Sequence, residues 1–198
     1  QSLDLWLKAI ELESEDFNKI RVIRKALKHL PESETLWKLA VQYENDKIEA
    51  VKILVKATEL VPKSMDLWMA LVSLQSHSEA RKTLNSARKL MPGEHQVWIL
   101  AAQLEERGAK APLHKLVNLL TKGIKELIKN GRTLTIKDWL FEAERIEEEA
   151  SALYPNTIAA LVKASMSLEF DIESDDAVRE LTQIVKGMED THYITKSS

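Results

Sequence analysis

Histidines and clustered carboxylates are the side chains of this sequence that could do acid–base work or hold a metal, and neither occurs in the pattern such chemistry needs. The five histidines, His29, His77, His95, His114 and His192, fall in no HExxH motif, and no pair of them shares a helix face with a carboxylate at ligand spacing, so each is expected to be solvated or half-buried. The densest acidic run is Glu142, Glu144, Glu147, Glu148 and Glu149. On a helix these five spread around most of the circumference, which reads as a solvated acidic face rather than a converging pair. There is no cysteine, which removes disulfides and thiolate metal sites and suits a reducing compartment. No GxGxxG or GxxxxGK(S/T) phosphate loop and no GxSxG elbow is present. The chain is therefore expected to be no enzyme and to use no cofactor, metal or small-molecule ligand.

Charge offers a second kind of chemistry. Lys19, Arg21, Arg24, Lys25 and Lys28 make one stretch basic, and a basic helix face can neutralise RNA phosphates or meet an acidic protein. No aromatic residue is interleaved outside the repeating apolar pattern, and acids flank the stretch on both sides. A solvated face is the plainer reading, and contact with a partner or RNA the sharper one. The net charge is −3, too mild to imply nucleic acid by itself, but it is uneven. Residues 1–130 carry 21 Lys+Arg against 17 Asp+Glu, and residues 131–198 carry 7 against 14, so the C-terminal third is acidic.

The elements that carry these side chains are legible from an internal repeat. Trp6, Trp37, Trp68, Trp98 and Trp139 are separated by 31, 31, 30 and 41 residues, and Pro31, Pro62 and Pro92 follow a Trp by 25, 25 and 24. Around each Trp the text recurs as LWLKAIELE, LWKLAVQYE, LWMALVSLQ and VWILAAQLE. Ala9, Ala40 and Ala101 stand three residues after a Trp, and Leu12, Tyr43, Leu74 and Leu104 six, which is helical spacing with a small residue where another helix approaches. Ser2, Ser33, Ser64 and Thr135 each precede a Trp by four and are expected N-caps. A second helix precedes each proline. Counting back from it, Ala26, Ala57 and Ala87 occupy the fifth position, Ile23, Leu54 and Leu84 the eighth, and Leu30, Val61 and Met91 the first. These steps make one apolar stripe that the proline ends.

The fourth unit is enlarged. Its second helix opens at Pro112, carries a stripe of Leu116, Val117, Leu120, Ile124, Leu127 and Ile128, and stops at Asn130-Gly131. A last helix is expected at about 175–188, capped by Ser174. The expectation is an all-α chain of about eleven helices, a curved solenoid of antiparallel helix pairs forming one segment over 1–198. Its units run approximately 1–31, 32–62, 63–92, 93–131 and 132–173, with a partial unit at 174–198. The tryptophans, alanines and prolines of the repeat are assigned to its structural core; base stacking by the tryptophans is the alternative. Hydrophobic residues make up 44% and Gly and Pro number five each, which suits packed helices. No run of eighteen apolar residues occurs, so no membrane span is expected. Opening on Gln1 and carrying repeat text at both ends, the sequence reads as part of a longer protein.

The unit resembles the HAT (half-a-TPR) repeat. A TPR would place Leu-Gly and then Tyr after the Trp. Here the Trp is followed by an apolar–acidic pair, Leu12-Glu13, Tyr43-Glu44 and Leu104-Glu105, with departures at Leu74-Gln75 and Ile146. The second helix carries Ala80-Arg81, Lys25-Ala26 and Lys56-Ala57. The stretches Ile20–Glu44 and Glu79–Gly108, with the enlarged fourth unit, are similar to HAT proteins of the spliceosomal tri-snRNP. That resemblance covers roughly residues 3–145 and fades beyond about Glu149. It implies a nuclear splicing scaffold, of which this is a middle segment, that joins other spliceosomal snRNP proteins and contacts RNA weakly. A scaffold of mRNA 3′-end or ribosomal RNA processing, or a direct RNA-binding repeat, is the alternative implied.

Overall fold

Pro31, Pro62 and Pro92 lie in turns, and the residue before each leaves the helix in nearly the same way. Leu30, Val61 and Met91 take φ/ψ of −130/65, −125/63 and −128/65, because a following proline disfavours helical geometry there. Each still donates its N–H to the alanine four residues back, at 2.8 Å. The computed structural model describes residues 2–166. In it the helices, alternately short and long as far as α6, are α1 (Leu3–Glu11), α2 (Asp16–His29), α3 (Glu34–Gln42), α4 (Lys47–Leu60), α5 (Met65–Leu74), α6 (His77–Leu90), α7 (Gln96–Ala109), α8 (Leu113–Lys129), α9 (Ile136–Ala150) and α10 (Pro155–Met166). No strand occurs among the described residues. None of the described helices is long and apolar enough to cross a membrane. The helix expected at 175–188 lies outside the described residues. The chain divides into two compact units, Gln1–Val97 and Trp98–Ser198.

In the first unit each helix packs on its sequence neighbours, α1 on α2 and so on through α6, with a lighter contact between α3 and α5. The side chains of Ser2, Ser33 and Ser64 accept from the first-turn N–H groups of Asp4, Leu36 and Leu67. Ser76 and Glu79 close a reciprocal capping box on α6, satisfying two otherwise orphaned donors. Ala26, Ala57 and Ala87 are fully buried, as are Ile23 and Leu54. One cluster joins Ile10, Ile23, Ala26, Leu36 and Ala40; a second joins Trp37, Leu54, Ala57, Leu67 and Leu71.

The tryptophans do more than fill space. The Trp37 indole N–H donates to the Pro31 carbonyl at 2.7 Å, and Trp68 does the same to Pro62 at 2.9 Å. With Ser33 and Ser64 donating their backbone N–H groups to Leu30 and Val61 at 3.2 Å, each proline turn is tied to the helix that follows it. A buried indole needs such an acceptor, so the aromatic supplies apolar area and a specific anchor together.

Four expectations about the apolar pattern need correction. Leu12 is not on the buried stripe: α1 ends at Glu11, which leaves Leu12 at the cap and 87% exposed. Trp6 is only half-buried and stacks on His29 at 5.7 Å between ring centroids. In α7 the fully buried small residue is Ala102, one position after Ala101. Ile128 is exposed because α8 is ending there.

The second unit is built differently. α10 packs on both α8 and α9, and Trp98, Leu116, Leu120, Ile124, Leu127, Trp139, Ile146 and Leu161 share one core. Trp98 lies directly over Gly123: a Cβ there would come within 2.6 Å of the indole ring. α8 stops at a left-handed Gly131, φ 78. Gly131 donates to Ile128 at 3.0 Å and Arg132 to Leu127 at 2.9 Å, which is the Schellman pattern. Thr135 and Asp138 form a capping box on α9. The first turn of α10 is capped from far along the chain. The Glu106 carboxylate accepts from the Asn156 and Thr157 N–H groups, both at 2.8 Å, and from the Thr157 hydroxyl at 2.6 Å. A carboxylate at that end of a helix is also favoured by its dipole.

Candidate interaction groove

The five basic residues singled out along α2 do not act as one face. Lys19 is turned away from open solvent: it pairs with Asp16 at 3.4 Å and lies 4.8 Å from the centre of the Tyr43 ring. Arg21 and Lys25 are exposed and lie outside the groove described next. Arg24 and Lys28 line it.

The groove has a volume of about 640 Å³ and is lined by α2, α3 and α4. Its floor follows from the core packing. Leu27 and Ile53 are partly buried residues that touch both clusters of the first unit, so they lie where the two clusters meet. Ile20 and Ala40 extend the apolar surface. Arg24 and Lys28 rise from α2, and Lys52 and Lys56 from α4; every charged residue lining the groove is basic. Two are paired at the edge, Arg24 with Glu44 at 3.7 Å and Lys52 with Glu49 at 2.7 Å. The Glu49 hydrogen bond raises the Lys52 ammonium above its ordinary pKa. Lys28 and Lys56 have no ion-pair partner among the described residues, and both are exposed.

The sequence reading missed Lys52 and Lys56, although their register was available. Lys56 and Lys25 both stand six residues before a proline, and Lys52 and Arg21 ten. The groove takes the third and seventh positions of one long helix, Lys28 and Arg24, and the sixth and tenth of the next. The same positions one repeat later hold Glu59, Val55, Ser86 and Lys82. The basic rim is thus particular to α2 and α4.

Apart from the half-buried Trp6, which stacks on His29, the tryptophans are not available as stacking platforms. Trp37 and Trp68 are each 5% exposed, and Trp98 and Trp139 less. Pro31 lines the groove, with Pro62 and Pro92 at the corresponding turns. The acidic run on α9 is not uniformly solvated. Glu142 is buried and accepts from Arg145 at 2.7 and 3.1 Å, because position 142 falls beside Trp139 and Ala143 on the core face. Glu144, Glu147, Glu148 and Glu149 are exposed. Among the described residues no group of three or more His, Asp or Glu side chains is arranged to hold a metal.

Compared with curated proteins, the chain is 50% identical over 181 residues, 91% of its length, to Pre-mRNA-splicing factor 6 of Saccharomyces cerevisiae. It resembles a splicing factor. The chain spans 20% of that relative's length. No protein-family model matches it. The likeness to Pre-mRNA-splicing factor 6 is longer than the stretch read from the sequence as 3–145: a match of 181 residues must reach well into the acidic C-terminal third. That third has no tryptophan after Trp139, and this missing marker had hidden the likeness.

Proposed function

We propose that this chain is a non-catalytic protein–protein scaffold segment of the nuclear pre-mRNA splicing machinery, part of a HAT-repeat protein that bridges components of the tri-snRNP. The observation that carries the reading is the 50% identity to Pre-mRNA-splicing factor 6 over nearly the whole chain. The helical packing supports it. Helix pairs that each contact only their neighbours present long surfaces, which several partners share. On this reading the pairs are successive units of one solenoid, at 1–31, 32–62, 63–92, 93–131 and 132–173, with a further partial unit at 174–198. The buried tryptophans, alanines and proline turns serve its packing.

The partners proposed are other spliceosomal snRNP proteins. RNA is contacted weakly or not at all by the chain alone, because the net charge is −3 and the described tryptophans are held in the packing. The test is affinity purification of the full-length protein from nuclear extract, with and without residues 1–198. The expected result is that deletion removes a defined set of snRNP proteins. An unchanged set of co-purifying proteins sinks the scaffold role for this segment. Sub-micromolar RNA binding by the isolated chain in about 0.15 M salt, abolished by replacing Arg21, Arg24, Lys25 and Lys28 with Glu, would establish the RNA-binding reading instead.

A further inference from the structure

We infer that the groove between α2 and α4 is a docking site for an acidic protein segment that carries apolar anchor side chains. This rests on the scaffold reading and adds the chemistry of one partner. Three observations select the occupant. The floor at Leu27 and Ile53 is apolar, which suits anchors that leave water on binding. The lining carries Arg24, Lys28, Lys52 and Lys56 and no acid, and the Glu44 and Glu49 carboxylates at the edge offset only Arg24 and Lys52, so a negatively charged segment is attracted and a basic one repelled. Lys28 and Lys56, one on each wall, have no ion-pair partner among the described residues and are free to meet carboxylates. The fit is local, since the corresponding positions of the next repeat, Val55, Glu59, Lys82 and Ser86, have no such bias.

RNA also carries negative charge, but the groove lacks what a single strand would use. Its one aromatic residue is Trp37, which is 5% exposed and whose indole N–H is held by the Pro31 carbonyl. No ring face is offered to a base. An apolar floor contributes to binding when a Leu or Phe side chain covers it, and nothing when a phosphate passes over it.

The experiment titrates the whole 198-residue chain against a fluorescein-labelled synthetic peptide in which Leu and Phe alternate with Glu, followed by anisotropy. Three further probes are used: the same peptide with Glu replaced by Gln, the same with Leu and Phe replaced by Ser, and oligouridine. The Glu peptide is expected to bind with a Kd on the order of micromolar, and to weaken as salt rises. Loss of either its carboxylates or its apolar residues should weaken it about tenfold or more. The double variant Lys28→Glu with Lys56→Glu should weaken the Glu peptide by at least about tenfold and leave the helical circular dichroism unchanged, because both side chains are exposed. Equal binding of the Glu and Gln peptides, unaltered binding by the double variant, or oligouridine binding more tightly than the Glu peptide and displacing it would each overturn the assignment. The two readings fail separately. No peptide binding, with snRNP proteins still lost on deletion of residues 1–198, overturns the groove alone. Peptide binding with no such loss overturns the scaffold reading and leaves the groove's chemistry standing.

Discussion

Replacing Gly123 with Ala sets two effects of opposite sign against each other. Gly123 is interior to the 17-residue helix α8. There an alanine gains about 1 kcal/mol from helix propensity and from lower entropy of the unfolded chain. The packing opposes it. The added Cβ would stand 2.6 Å from Trp98 Cδ2, 2.7 Å from Cγ and 3.0 Å from Cε3. Ordinary carbon–carbon contact lies near about 3.5–4.0 Å, so the two helices must part by roughly 1 Å. The obstacle is the rigid inner edge of an indole that is 3% exposed, not the free end of a flexible chain. Overpacking of this kind costs about 1–3 kcal/mol and occasionally more. So close a contact with a rigid ring puts the cost in the upper part of that range, so the steric effect should win, with a net loss of about 1–2 kcal/mol, or roughly 2–8 °C in Tm for a chain of this size. Thermal and urea melts, read by circular dichroism and by tryptophan fluorescence, make the measurement. A Tm equal to or above that of the unaltered chain would refute the close approach of Trp98 to Gly123. Combining Gly123→Ala with Trp98→Phe should recover part of the fluorescence-independent loss relative to the sum of the single variants, because the smaller ring leaves room.

Trp68→Ala should cost about 3–5 kcal/mol, the range for large-to-small changes in a core, and a loss within about 0.5 kcal/mol in urea melts would place that side chain at the surface. Trp37→Phe keeps an aromatic ring but removes the donor to Pro31, so a loss of about 1 kcal/mol or more is expected by the same assay; no change would mean the indole hydrogen bond is not formed in solution. Glu106→Ala should destabilise the second unit by about 1–2 kcal/mol through loss of the α10 cap, visible as faster amide exchange at residues 156 and 157; unaltered exchange there would exclude the contact. The Ser76 hydroxyl and backbone hydrogen bonds hold the Glu79 carboxylate below its usual pKa. The stability this gives is present above the unfolded value, about 4.3, and is lost as pH falls through the lower folded value. Melts between about pH 6 and pH 3 should show a shallower acid dependence for Glu79→Gln than for the unaltered chain, and identical slopes would rule the capping box out.

The local grammar of the fold was open to reading because each signal acts within a turn or two. Serine four residues before tryptophan, proline after a long helix and Asn130-Gly131 all work by satisfying or redirecting nearby backbone groups, and the structure uses them so. What was hidden depends on contacts distant in sequence. Gly123 carries no local signal of its role, because the Trp98 ring packed against it comes from another helix. Glu142 read as solvated because helical spacing says which residues share a face, but not which face the core takes. The basic stretch on α2 was visible as composition, yet the groove needs side chains from α4 as well. Lys52 and Lys56 stand on the next long helix, and only the packing of α2 and α4 over α3 sets them beside Arg24 and Lys28.

The cap on α10 bears on the order in which the second unit forms. In the first unit the tryptophan tethers close loops of six residues, which the chain samples as soon as the adjacent turn exists. The Glu106 contact with Thr157 closes a loop of 51 residues. Loop-closure entropy grows as the logarithm of length, so this contact carries roughly 2 kcal/mol more of that cost than a tether does. Rates of two-state folding fall as such non-local contacts accumulate. During synthesis, Glu106 emerges some fifty residues before the helix it will cap, and α10 cannot be fixed in place until α7, α8 and α9 have all left the ribosome. The second unit therefore has a folding step that waits on chain length, whereas the helix pairs of the first can form one after another as they are made.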